Sequence, residues 1–275
     1  MNDRAQTDRA CDAKELDGAW QIVINGASSG AYAGAVALFT RGGAVAFRRA
    51  TGWAMLDPKR RPMTEETIFD LASLTKVVAT LPSVLLLVAA GELALDDPVG
   101  RILPEFGIDG WRSAVTIRRL LSHSAGLPAW LPLYLDAAGP EAYLAAITQA
   151  SPVAPPGDRV VYSDLGFILL GEIVRRLSGR DIARFAATEV FAPLGMGDTM
   201  FNPPATVRHG IAATEDGNQT EIGMCGDRAG EFPNWRRRTI WGEANDGNAF
   251  YGLSGIAGHA GLFGTATDLA RYGRF

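Results

Sequence analysis

The stretch from Val77 to Ala90 is almost wholly apolar, and it opens on Ser73-Leu-Thr-Lys76. A run of this kind has to be buried, so the spacing predicts a helix from Ser73 to about Ala90 inside a sizeable domain. Pro82 lies within it and is expected to kink it. Lys76 comes three residues after Ser73, one helical turn away and on the same face. A serine hydroxyl is a poor nucleophile until another group takes its proton. A helix N-terminus adds N–H groups and a positive dipole end, which favour negative charge beside Ser73. Ser-x-x-Lys alone is a weak signal, but lysine usage strengthens it. Lys14, Lys59 and Lys76 are the only lysines among 26 basic residues, and only Lys76 runs into an apolar segment. Burying an ammonium is costly without a partner, so Ser73 and Lys76 are read as a working pair.

The chain has 275 residues, 47% hydrophobic and 20% charged, enough for one large domain or two intertwined lobes. A net charge of −4 argues against a nucleic-acid partner. Arg236-Arg237-Arg238 reads as a solvated loop or as structural ion pairs. Cys11 and Cys225 lie far apart in polar surroundings and imply no disulfide framework. No apolar segment of signal-peptide type follows Met1, and Val84–Ala90 is far short of the roughly 20 residues of a membrane span. A cytoplasmic protein with no membrane partner is expected.

Residues 1–14 read as a flexible terminus and 15–275 as a single catalytic unit. Glu15–Asn25 suits a short helix, although Trp20–Ile24 also suits a strand. Residues 34–40 and 44–47 read as strands joined by a Gly42-Gly43 turn, and 55–66 as a loop. Residues 73–200 form a mainly helical lobe, with helices at 115–121, 141–150 and 181–190. Leu165, Leu169, Ile173 and Leu177 recur every four residues, with Glu172, Arg175 and Arg176 opposite and Gly179 as C-cap. Residues 203–258 read as irregular loop with short strands. The 15–72 and 235–275 segments form the mixed part, and Thr265-Ala-Thr-Asp268 has the form of a capping box opening a last helix.

Gly26-Ala-Ser-Ser-Gly30 fits neither a dinucleotide turn, because Tyr32 and the missing strand–helix alternation break that pattern, nor a nucleophile elbow, because a strand follows it. It reads as a plain turn. His123, His209 and His259 lack metal-ligand spacing. His123 and His259 read as rings bonded to local backbone at turns. Tyr162-Ser163-Asp164, about 90 residues after Ser73, offers a second site element. A neighbouring ammonium favours the phenolate form of a tyrosine. Asp164 alternatively reads as the N-cap of the helix that follows.

Taken together, these residues resemble the serine β-lactamase and penicillin-binding-protein superfamily. The likeness is greatest to its class C-like branch, which includes the family VIII carboxylesterases. It is carried by Met63–Lys76, Leu93–Val99, Thr116–Pro128, Tyr162–Glu172, Pro193–Met196 and Gly258–Tyr272. The resemblance implies an α+β fold, an antiparallel sheet flanked by helices plus a largely helical lobe. It implies Ser73, Lys76 and Tyr162 as catalytic residues, Asp164 as substrate-binding, and neither a metal nor an organic cofactor. Asp164 stands where the family usually has Asn, so it only accepts hydrogen bonds when ionised; it is expected to hold Lys76 protonated and leave Tyr162 as the base. The family's third motif falls beyond Phe275, so the last strands of the sheet and the second oxyanion donor are expected to be missing. The implied activity is a serine hydrolase working through an acyl-enzyme on a small ester or a β-lactam, with the ester preferred. A D-Ala-D-Ala carboxypeptidase and an impaired fragment or binding module of the same fold are the alternatives.

Overall fold

Gly42 and Gly43 both take positive φ, 53° and 80°. Two such residues in succession give a turn whose twist matches that of paired strands. They join β1 (Gly34–Arg41) to β2 (Ala44–Met55), and β3 (Arg61–Pro62) adds a third antiparallel strand. Before them lies α1 (Ala13–Ser28), a helix throughout, including the stretch that also suited a strand. Trp20 of α1 is buried and meets the Phe47 ring edge-on at 5.7 Å. Gly26–Ser28 is the last turn of α1, and Gly30 ends it with φ 79°, so the glycine pattern there marks a helix end.

The computed structural model describes residues 13–274. They divide into two compact units, the elements above up to Thr67 and a larger one over Ile68–Gly273. The expectations for Cys11 and for residues 1–12 lie outside the described residues, whereas Ala13 and Lys14, read as part of the tail, open α1. The architecture is α+β, with small antiparallel sheets among helices.

In the larger unit, β4 (Phe69–Asp70) leads to the Ser73 turn. The helix begins after Ser73, not on it. Residues 74–75 open it, Lys76–Thr80 form a π-turn, and α2 (Leu81–Ala89) follows. Pro82 has no N–H to return to Val78, and the Leu81 N–H reaches back five residues to the Lys76 carbonyl. The expected kink takes the form of this widened turn.

Around α6 (Asp164–Ser178) lie α2, α3 (Val99–Ile102), α4 (Ile117–Leu121), α5 (Pro140–Gln149) and α7 (Ile182–Ala186). α6 is the central helix: Leu165, Leu169 and Ile173 are fully buried, each contributing about 1.5–3 kcal/mol of apolar burial. Gly179 ends it in the left-handed region, as its position implied. Glu172, opposite the leucine stripe, is buried as well. Its two oxygens bind Arg175 Nε and Arg176 Nε, each at 2.7 Å, which satisfies the carboxylate.

β5 (Met200–Phe201) pairs with β8 (Leu262–Gly264), which also pairs with β4. β6 (Ala213–Asp216) pairs with β7 (Thr239–Trp241), and between them lies α8 (Gln219–Cys225), a helix in the stretch read as loop. Seven residues are too few for a periodic signal. Cys225 is buried beneath Tyr134 and Trp235 rather than in polar surroundings. Arg236 is also buried, donating to Asn218 Oδ1 and to the Ala244 and Asn245 carbonyls, which makes it structural. α9 (Ala266–Tyr272) opens on Thr265, whose hydroxyl accepts from the Asp268 N–H as the capping pattern implied. Among the described residues no helix is long and apolar enough to cross a membrane.

Candidate active site

Ser73 is exposed, and the turn that presents it is held from several sides. Ala72 takes φ 44°, an uncommon backbone for a residue with a Cβ. Its N–H donates to Asp70 Oδ1 at 2.8 Å, and its carbonyl accepts from Thr75 Oγ1 at 2.5 Å. Asp70 Oδ2 accepts from the Asn245 N–H at 2.8 Å, tying this turn to a distant loop. Burial pushes the Asp70 carboxyl up from its ordinary range, against the two backbone bonds that favour its charge.

Lys76 is 2% exposed, and its amine meets three acceptors. Nζ donates to Ser73 Oγ at 2.9 Å and to the His259 carbonyl at 3.1 Å, and pairs with Asp164 Oδ1 at 2.6 Å. An ammonium has three donors, so this set satisfies it. The amine also lies 4.8 Å from the centre of the Tyr162 ring. The structure therefore gathers Ser73, Lys76, Tyr162 and Asp164 around one amine.

Tyr162 is 52% exposed and is set in place by the 123–129 segment. The Val161 N–H donates to the His123 carbonyl at 2.8 Å, and the Ser163 N–H to His123 Nδ1 at 3.0 Å. The His123 ring packs on Tyr162 at 4.4 Å and on Phe167 at 5.0 Å. Its backbone partner is thus remote, 40 residues on, rather than local. Because Nδ1 accepts, the neutral ring carries its proton on Nε2; burial, and then the Lys76 charge, lower the His123 pKa. Ser163, not Asp164, caps α6: its hydroxyl accepts from the Gly166 N–H and donates to the Pro128 carbonyl. That leaves the Asp164 side chain for Lys76.

Two residues not picked out as site members complete the cluster. His259, 1% exposed, meets Asp246 Oδ1 through Nε2 at 2.9 Å. Burial alone would raise Asp246, but the His259 ring, the Ala249 N–H and the Lys76 charge outweigh it and hold the carboxyl below its ordinary range. Asp164, Asp246 and His259 offer ligand atoms within 4.8 Å of one another, a spacing compatible with a metal ion. The Lys76 ammonium, bonded to Asp164 and to the His259 backbone, already serves these groups as a cation. A cleft of about 270 Å³ lies elsewhere, between α5, α6, α7 and residues 252–258, and contains none of the Ser73 cluster.

The exposed Ser73 is thus hydrogen-bonded to a buried lysine that is itself paired with a carboxylate. The chain belongs to the Beta-lactamase family, whose pattern it matches over residues 15–275. It is 35% identical over 223 residues to an Escherichia coli K12 protein described as "Putative D-alanyl-D-alanine carboxypeptidase", covering 75% of this chain and 50% of that one. The chain thus spans about half the length of that curated relative. Among solved structures it is similar to EstCE1, "a hydrolase with promiscuous acyltransferase activity", at 25% identity and TM-score 0.71 over 94% of this chain and 71% of that one. A class C β-lactamase shares the fold at TM-score 0.72 and 22% identity, over 95% and 65% of the two chains.

Proposed function

We propose that this chain is a serine hydrolase that works through an acyl-enzyme on Ser73, with a small carboxylic ester as its substrate class. The observation that carries the reading is the Lys76 amine, 2.9 Å from Ser73 Oγ and 2.6 Å from Asp164 Oδ1. Ser73 Oγ attacks the ester carbonyl carbon, and Tyr162, supported by the Lys76 charge, takes the hydroxyl proton. The backbone N–H of Ser73 is one oxyanion donor. Tyr162 returns the proton to the departing alkoxide, which leaves as an alcohol. Water then attacks the acyl-Ser73 carbonyl with the same base, releasing the acid and restoring the hydroxyl. Asp164, 18% exposed beside the serine, holds the ammonium and accepts from a donor on the substrate.

The likeness to EstCE1, a hydrolase with promiscuous acyltransferase activity, supports acyl transfer through Ser73. A D-Ala-D-Ala peptide is the second reading, favoured by the identity to the Escherichia coli protein. Turnover of a p-nitrophenyl short-chain ester, of a D-Ala-D-Ala peptide and of a chromogenic cephalosporin ranks the substrate classes. Trapping the acyl group by intact mass tests the chemistry. Ser73→Ala is expected to abolish both turnover and adduct. Unchanged ester turnover in that variant would sink the reading, and no adduct or turnover in the wild type would favour a binding module instead.

A further inference from the structure

We propose that His259 and Asp246 are a positioning pair for the nucleophile: the imidazole, fixed by Asp246, holds the His259 carbonyl against the Lys76 amine, and the Asp246 carboxylate supports that amine from behind. This rests on the serine-hydrolase reading of Ser73 and Lys76.

The His259 ring is 1% exposed, and its Nδ1 has no hydrogen-bond partner. The proton of a neutral ring there belongs on Nε2, where Asp246 Oδ1 accepts it at 2.9 Å. The same oxygen accepts from the Ala249 N–H at 2.8 Å, so the carboxylate is itself fixed. The His259 carbonyl accepts from Lys76 Nζ at 3.1 Å. On one side, the Gly258 carbonyl accepts from Thr80 Oγ1 at 2.7 Å; on the other, the Leu262 N–H donates to Thr75 Oγ1 at 3.1 Å. Residues 258–262 are therefore registered on the nucleophile segment at three successive points, with the Lys76 bond in the middle. A ring that merely filled space would not need a half-buried carboxylate, which is costly to desolvate. The charged groups around this pair are Lys76 and Asp164 on one side, and Asp70, Glu221 and Arg236 on the other.

The test reads how fast Ser73 is labelled by a fluorophosphonate, which needs a ready nucleophile but no natural substrate. Asp246→Asn keeps the shape and removes the charge; His259→Leu removes the donor; His259→Gln keeps a donor. Labelling, corrected for folded fraction, is expected to fall about tenfold or more in the first two, with the glutamine variant recovering most of the rate. The pH profile of labelling should move down by about one unit in Asp246→Asn, because a nearby negative charge is lost. Wild-type rates and an unmoved profile in both Asp246→Asn and His259→Leu would overturn the pair. Should those variants not fold, ¹⁵N spectra of the histidine-labelled wild type at pH 8 decide: the Nε2–H tautomer of His259 supports the pair, the Nδ1–H tautomer overturns it. A wild type that is not labelled at Ser73 sinks the hydrolase reading instead, and the tautomer still decides the pairing.

Discussion

Replacing Asp164 separates what its charge contributes from what its hydrogen bond contributes. The carboxylate lies 2.6 Å from Lys76 Nζ, with the two side chains 18% and 2% exposed. Removing one partner of such a buried pair costs about 3–5 kcal/mol, because the other charge stays buried without compensation. Asp164→Ala is expected to show that loss. Asp164→Asn keeps an acceptor oxygen in the same place, and a hydrogen bond to a charged group is worth about 1.5–3 kcal/mol. Ser73 Oγ and the His259 carbonyl continue to accept from the amine. The difference leaves about 1–2 kcal/mol for the asparagine variant. Urea midpoints at pH 7 with an unchanged slope measure both. An alanine variant within about 0.5 kcal/mol of wild type would refute the reasoning. So would an asparagine variant as damaged as the alanine one.

Three further outcomes follow from the geometry. Burial, and then Asp246, push Glu221 up to about 8. Its native form keeps a proton that the unfolded chain releases, so stability should fall as pH rises from about 5 to 8; Glu221→Gln should flatten that slope in a thermal series, and a slope of opposite sign would refute it. Gly258→Ala places a Cβ 2.1 Å from the Phe167 carbonyl, against the α6 backbone; it should cost about 3 kcal/mol or more and slow ester turnover, read by denaturation and kinetics. Ala72→Val forces a β-branched residue to φ 44°; it should lose about 1–3 kcal/mol and most activity, whereas Ala72→Gly should keep both.

Local patterns in the chain announced much of this structure. Gly42-Gly43, Gly179 and Thr265–Asp268 each carry their own geometry in residue type and spacing, and each does locally what that spacing implies. Ser73, Lys76, Tyr162 and Asp164 were recognisable as a group because the first two sit a turn apart and the segments around all four resemble those of a known family. His259 and Asp246 were hidden. They lie 13 residues apart in a Gly- and Asn-rich stretch with no periodicity, and only the path of the backbone brings one ring nitrogen to one carboxylate. Asp70 was hidden for the same reason, since its partners are the adjacent turn and a loop 175 residues on. Spacing places Glu172 opposite the apolar stripe of α6 with Arg175 and Arg176, but does not show that both guanidinium groups fold onto its carboxylate and let it be buried.

The three bonds that tie residues 258–262 to the nucleophile segment join positions 178, 183 and 187 residues apart. Contacts of this range are the slowest to form, because the intervening chain must be ordered first. During synthesis at about 5–20 residues per second, Lys76 waits on the order of ten to forty seconds for the carbonyl that completes its shell. A nascent chain with α2 and α6 already packed thus holds Lys76 beside Ser73 and Asp164 with one acceptor of its amine still missing.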